Sequence, residues 1–205
     1  MADVLVNPSP RTRVSAPPRT GERGDRPNGS AVLEDLSPLI AATTRWLTGA
    51  YPATGGALAS ALCEVQARQA VTAAAWLRYP TAMDAALVGM AGAGGSARLD
   101  WITGADGIEQ DPQAYAWRTW VDETVASWAV CLLTEPDLAE RAVAALTDSG
   151  HPAARFVEFR RLLGPDEREA RAAALLRHPD LTAPVASLHR AELLEHLTPG
   201  TSLAA

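Results

Sequence analysis

Asp111-Pro112-Gln113-Ala114-Tyr115-Ala116-Trp117-Arg118-Thr119-Trp120-Val121-Asp122-Glu123-Thr124-Val125-Ala126-Ser127-Trp128-Ala129-Val130-Cys131-Leu132-Leu133 is the stretch whose reading decides the fold. An acid followed by proline opens a helix well, because proline at the first helical position gives up an N–H that has no partner there. At 100° per residue, Trp117, Trp120, Val121, Thr124, Trp128, Cys131 and Leu132 fall on one face, with Arg118, Asp122, Glu123 and Ser127 elsewhere around the wheel. The pattern predicts one long helix from Asp111 to about Leu133, serving as the spine of a helical core. Its tryptophans have two possible uses. Large aromatics stabilise small helical cores by burial, and they also wall ligand pockets, which makes Trp117, Trp120 and Trp128 ligand-binding candidates.

Outward from this segment, helix punctuation recurs and no strand pattern competes with it. Ser37-Pro38 is expected to open a helix with the stripe Leu39, Ile40, Thr43, Trp46 and Leu47, closed by Gly49. Thr54 is expected to cap the next, with Leu58, Leu62, Val65, Gln69, Ala73 and Trp76 on its inner face, and Tyr79-Pro80 to stop it. Thr81 and Asp84 form a capping box for a third helix that runs through Leu87 and Met90 into glycines. Glu135-Pro136-Asp137, Gly164-Pro165-Asp166 and His178-Pro179-Asp180 each start a later helix, because Pro-Asp supplies a fixed φ and a carboxylate for the exposed N–H groups. Gly92 to Gln110 reads as a long inter-helix loop. The expected architecture is all-α, a single compact multi-helix bundle of about seven or eight helices, with a helical domain over residues 31–200.

The ends differ in composition. Residues 1–30 hold five arginines and three acids, and they mix five prolines with Gly, Ser and Thr. Such a segment buries too little apolar surface to offset the entropy of ordering, so it is expected to be a disordered arm. Residues 201–205 are expected to be a disordered tail. Since the whole chain has a formal charge of −6, the rest carries about −8. A cationic arm on an anionic body suggests docking, with Val4, Leu5 and Val6 as an apolar anchor and Arg11, Arg13 and Arg19 as charges. All eighteen basic residues are arginine, which suits a GC-rich bacterial genome.

An acidic body with a sequence pI near 5.2 is a poor binder of polyanions, so nucleic acid is not an expected partner. No apolar run is long enough to span a bilayer, and Cys63 and Cys131 lack metal or redox spacing, so a reduced cytoplasmic protein is expected. No nucleophile elbow occurs. Gly89 to Ser96 is no phosphate loop, since no strand precedes it and the chain has no lysine. The one metal-like grouping is His189, Glu192 and His196 near the end of the chain. Separations of three and four put them on one side of a helix, and with donors from other helices they would hold iron, manganese or zinc. A solvated helix face explains the same residues without an ion, so no cofactor is predicted. The function expected from these features is a non-catalytic accessory or adaptor protein working through protein contacts in a bacterial cytoplasm, including contacts between its own copies. The alternatives are a helical-bundle enzyme, metal-dependent through the last helix, and a small-ligand sensor built on the tryptophans.

Overall fold

The proline, glycine and aspartate punctuation resolves into ten α-helices and one 3₁₀ turn in a computed structural model that describes residues 29–106, 115–149 and 158–198. In chain order they are α1 (Gly29–Ala50), α2 (Gly56–Arg78), α3 (Ala82–Ala91), α4 (Ser96–Thr103), the 3₁₀ turn Ala116–Trp120, α5 (Glu123–Thr134), α6 (Pro136–Asp148), α7 (Arg160–Leu163), α8 (Glu167–Ala172), α9 (Pro179–Ala186) and α10 (Arg190–His196). No strand occurs among the described residues, so the protein is all-α, a compact helical bundle. Arm residues 1–28, including Val4, Leu5, Val6, Arg11, Arg13 and Arg19, and the tail 201–205 lie outside the described residues.

The core is organised around α2, which packs against α1, α5, α6, α7 and α8. Every residue from Ala70 to Leu77 is buried, four of them alanines that let neighbouring helices approach closely. Trp76, fully buried, meets Phe159 edge-on at 5.9 Å between ring centroids, a favoured aromatic geometry. α5 lies along α2 and carries a second run of buried residues, Val125 to Leu133.

A buried polar network staples α2 to the α7–α8 segment. The Gln66 side-chain amide donates to the Glu169 carbonyl at 2.7 Å, and its oxygen accepts from Arg177 Nε at 2.7 Å. The remaining Arg177 donors reach the carbonyls of Leu133, Arg161 and Leu162. Gln69 donates to the Glu158 carbonyl and accepts from the Leu162 N–H. Glu169 closes a capping box with Asp166 and takes charge-assisted bonds from Arg160 and Arg161, at 2.5 and 2.7 Å to one oxygen. Arg160 foremost, then the Asp166 N–H and Arg161, hold its carboxyl down at about 2.

Several elements differ from the sequence reading. The expected single helix from Asp111 to Leu133 is broken. Residues 111–114 lie outside the described residues, Ala116–Trp120 is a 3₁₀ turn, and α5 starts only at Glu123. Asp122 makes the break, because it adopts extended backbone as N-cap and its carboxylate accepts from the Val125 N–H at 2.9 Å. Tyr79 Oη donates to the same carboxylate at 2.6 Å, and the Asp122 N–H donates to Thr43 Oγ1, so two other helical segments hold the cap in place.

α1 begins at Gly29, with Pro38 inside it. Leu36 is fully buried in phase with Leu39, which carries the apolar stripe across the one ladder bond that proline lacks. α2 is capped by Gly55 with no side-chain acceptor, so Thr54 does not cap it. Its buried face also runs through Cys63, Gln66, Ala67 and Ala70, leaving Leu58 exposed and Leu62, Val65 and Gln69 at the margin. α4 stands where a loop was expected. Gly95 admits it: φ is +133°, and a Cβ there would come within 3.4 Å of the Glu123 nitrogen. The Thr81–Asp84 capping box, the stop at Tyr79-Pro80 and the three Pro-Asp helix starts are present as read.

Candidate functional site

The three tryptophans do not share a face. Trp128, on α5, is 3% exposed, and its indole N–H donates to the His189 carbonyl at 3.0 Å, so it is a core residue that holds α10. Trp117 and Trp120 belong to the 3₁₀ turn and are half-buried. Trp117 sits beneath the guanidiniums of Arg45 and Arg118, at 5.0 and 5.2 Å from the ring centroid. Arg118 is in turn paired with Asp100, which also accepts from the Trp46 indole at 3.0 Å. This cluster ties α1, α4 and the 3₁₀ turn together. The Asp122 break is why a tryptophan-lined wall does not form.

The last-helix triad is only partly brought together, His189 with Glu192 but not His196. His189 is the N-cap of α10 rather than a member of it. Its Nδ1 lies 2.9 Å from Glu192 Oε1, and its Nε2 lies 2.8 Å from Glu123 Oε1 on α5. With a carboxylate at each ring nitrogen, only the imidazolium donates to both. Burial lowers its pKa, but the two hydrogen bonds outweigh that and leave it above the ordinary histidine value. The His189 N–H also donates to Ser127 Oγ, which itself donates to the Ala186 carbonyl, so the residue clips the α9–α10 corner onto α5. His196 turns instead to the Trp128 ring, 5.7 Å between centroids, and desolvation with the nearby Arg78 charge lowers its pKa. Among the described residues, no group of three or more His, Cys, Asp or Glu side chains is placed to hold a metal ion. Cys63 and Cys131 are buried free thiols, and burial pushes both pKa values up, that of Cys131 to about 11.

What sequence reasoning missed is a surface. α3 packs chiefly against α1, with Ala85 and Val88 as its buried residues. Its opposite face presents Met83, Leu87 and Met90 at 69%, 52% and 78% exposure, and Trp101 on α4 is 71% exposed. These are four of the six large apolar side chains that stand out from the described surface, the others being Leu58 and Leu181. The sequence places Leu87 and Met90 on this helix without saying which way they face. Ala85 and Val88 have the same spacing, and periodicity alone does not rank two apolar faces of a ten-residue helix. No helix among the described residues is long and apolar enough to cross a membrane. No protein-family model, curated protein or solved structure matches this chain.

Proposed function

We propose that the protein is a non-catalytic accessory or adaptor that works in a bacterial cytoplasm by docking an amphipathic helix of a partner protein onto α3. The observation that carries this reading is the exposed Met83, Leu87 and Met90 stripe. Its four-then-three spacing is that of one seam of a two-helix contact, in which side chains of a second helix interleave. Methionines suit such a seam because the flexible thioether adapts to its partner. The patch amounts to a few hundred Å², the size of a functional patch on a monomer. That is well short of the ~800 Å² per partner that a stable dimer buries, so a single helix is a better match in area than a second copy. The reading is supported further by Trp128 and His189, whose polar atoms are engaged in holding helices together.

The test compares the full chain with a Met83→Asp, Leu87→Asp, Met90→Asp variant by site-directed photocrosslinking from position 86 in the native host. The expected result is a discrete crosslinked partner protein for the wild type that disappears in the triple variant. A wild type without a discrete adduct, or an adduct unchanged in the variant, sinks the proposal. An adduct of twice the chain's own mass assigns the face to a second copy instead.

A further inference from the structure

Along the first turns of α2, whose other end leads into α3, lies an open cleft of about 460 Å³ lined by Thr54, Gly55, Leu58, Leu62, Arg168 and Arg171 among others. Two features set it apart from ordinary surface. Leu58 is 61% exposed, one of the large apolar side chains left without cover. The arginines beside it lack carboxylate partners. Arg68, Arg98, Arg118, Arg160, Arg161 and Arg190 all pair with acids. Arg171 uses only the Glu167 backbone carbonyl. Arg168 alone among the described arginines has neither acid, carbonyl nor ring as a partner.

The pair is also rigidly mounted. α8 is pinned to α2 by the Gln66 amide on the Glu169 carbonyl, and its start is locked by the Asp166–Glu169 capping box. Glu169 and Ala172 therefore face inward, and Arg168 and Arg171, one residue earlier in each case, face out. A guanidinium without an acid, held on a fixed helix, is pre-organised for a carboxylate, to which it donates two parallel N–H bonds. An aliphatic wall beside it accepts an apolar side chain.

We infer that this cleft binds an acidic peptide segment of a partner protein, its carboxylates on Arg168 and Arg171 and an adjacent apolar side chain on Leu58 and Leu62. Charge complementarity sets the occupant's sign. The open side sets its form, because a small molecule held by a pocket is enclosed over most of its surface, whereas a chain lying across the protein needs no such enclosure. The inference does not rest on the α3 reading and has its own test.

The probe is a fluorescein-labelled Glu-Leu-Glu-Leu-Glu-Leu peptide, titrated with the full chain by fluorescence polarisation at low salt and followed by backbone NMR. The expected result is saturable binding with shifts at residues 54–62 and 167–172. Affinity should fall at least tenfold for the Gln-for-Glu peptide and for the Arg168→Gln, Arg171→Gln variant, which keeps side-chain length and removes only charge. Leu58→Asp should weaken it as well, and the α3 triple variant should leave it unchanged. Equal binding of the Gln peptide, undiminished binding by the arginine variant, or shifts elsewhere would overturn the inference. So would displacement of the peptide by inorganic phosphate or octanoate at equal concentration, which would assign the cleft to free anions.

Discussion

The second half of α2 and the whole of α3 are built from nearly the same residues, yet one vanishes into the core and the other stands on the surface. Ala70–Leu77 and Ala82–Ala91 are both dominated by alanine with a few large apolar side chains. The first has helices on every side, and the second chiefly has α1. Composition therefore does not decide burial here; the number of neighbours does. The surplus of apolar surface on α3 stays exposed, whereas the same surplus on α2 is consumed by folding.

The comparison can be broken at several points. Trp76→Ala should cost the most, about 3–5 kcal/mol, since it empties a fully buried site that no neighbour can refill without leaving Phe159; urea denaturation measures it. Arg177→Met should cost about 3 kcal/mol, because the Gln66 oxygen and the carbonyls of Leu133, Arg161 and Leu162 lose their donor in a buried setting. Ala85→Asp puts an unpaired carboxylate on the buried side of α3 and should cost about 2 kcal/mol or more. Met90→Asp, five residues along the same helix but on its outer side, should change stability by no more than about 0.5 kcal/mol. Equal costs for those two substitutions would mean that α3 has no inner and outer face in solution.

Acid and base sharpen the contrast between the two polar clusters. The Glu169 carboxyl is lowered in the folded state, so its contribution is complete above the unfolded carboxylate pKa and is lost as pH falls toward about 2. The His189 pKa is raised, so its contribution is complete below the unfolded histidine value and is lost as pH rises through the folded one. Melting temperature should therefore decline on both sides of an intermediate pH. Glu169→Gln should shrink the acid limb, leaving the part due to Glu135, which Arg190 holds low, and to His196, which burial holds low. His189→Ala should remove the other, with an effect of roughly half a kcal/mol because the site is partly solvated.

Fold class was legible in the sequence because local signals specify helix ends. Thr81 with Asp84, Tyr79-Pro80 and the Pro-Asp starts act within one turn, so no tertiary knowledge is needed to see them. The break at Asp122 carried such a signal too, an aspartate three residues before Val125 and followed by glutamate, but the tryptophan periodicity running through it looked like continuity. The candidate sites were not legible for a different reason. Which of two apolar faces on α3 turns outward depends on α1. That Arg168 is unpaired while Arg160 and Arg161 are not depends on where Glu169 points, and the sequence reading passed over Gln66, whose partner Arg177 lies 111 positions away.

The two thiols offer a readout that none of the other side chains provides. Cys63 on α2 and Cys131 on α5 stand on the two helices that form the seam of the core, and both are shut away and held in the unreactive, protonated form. A thiol reagent added to the native protein therefore reacts only when that seam parts. Its rate becomes a clock for core breathing, read without a mutation, and a ligand held in the Arg168 cleft, one wall of which is α2, should make the clock run slow.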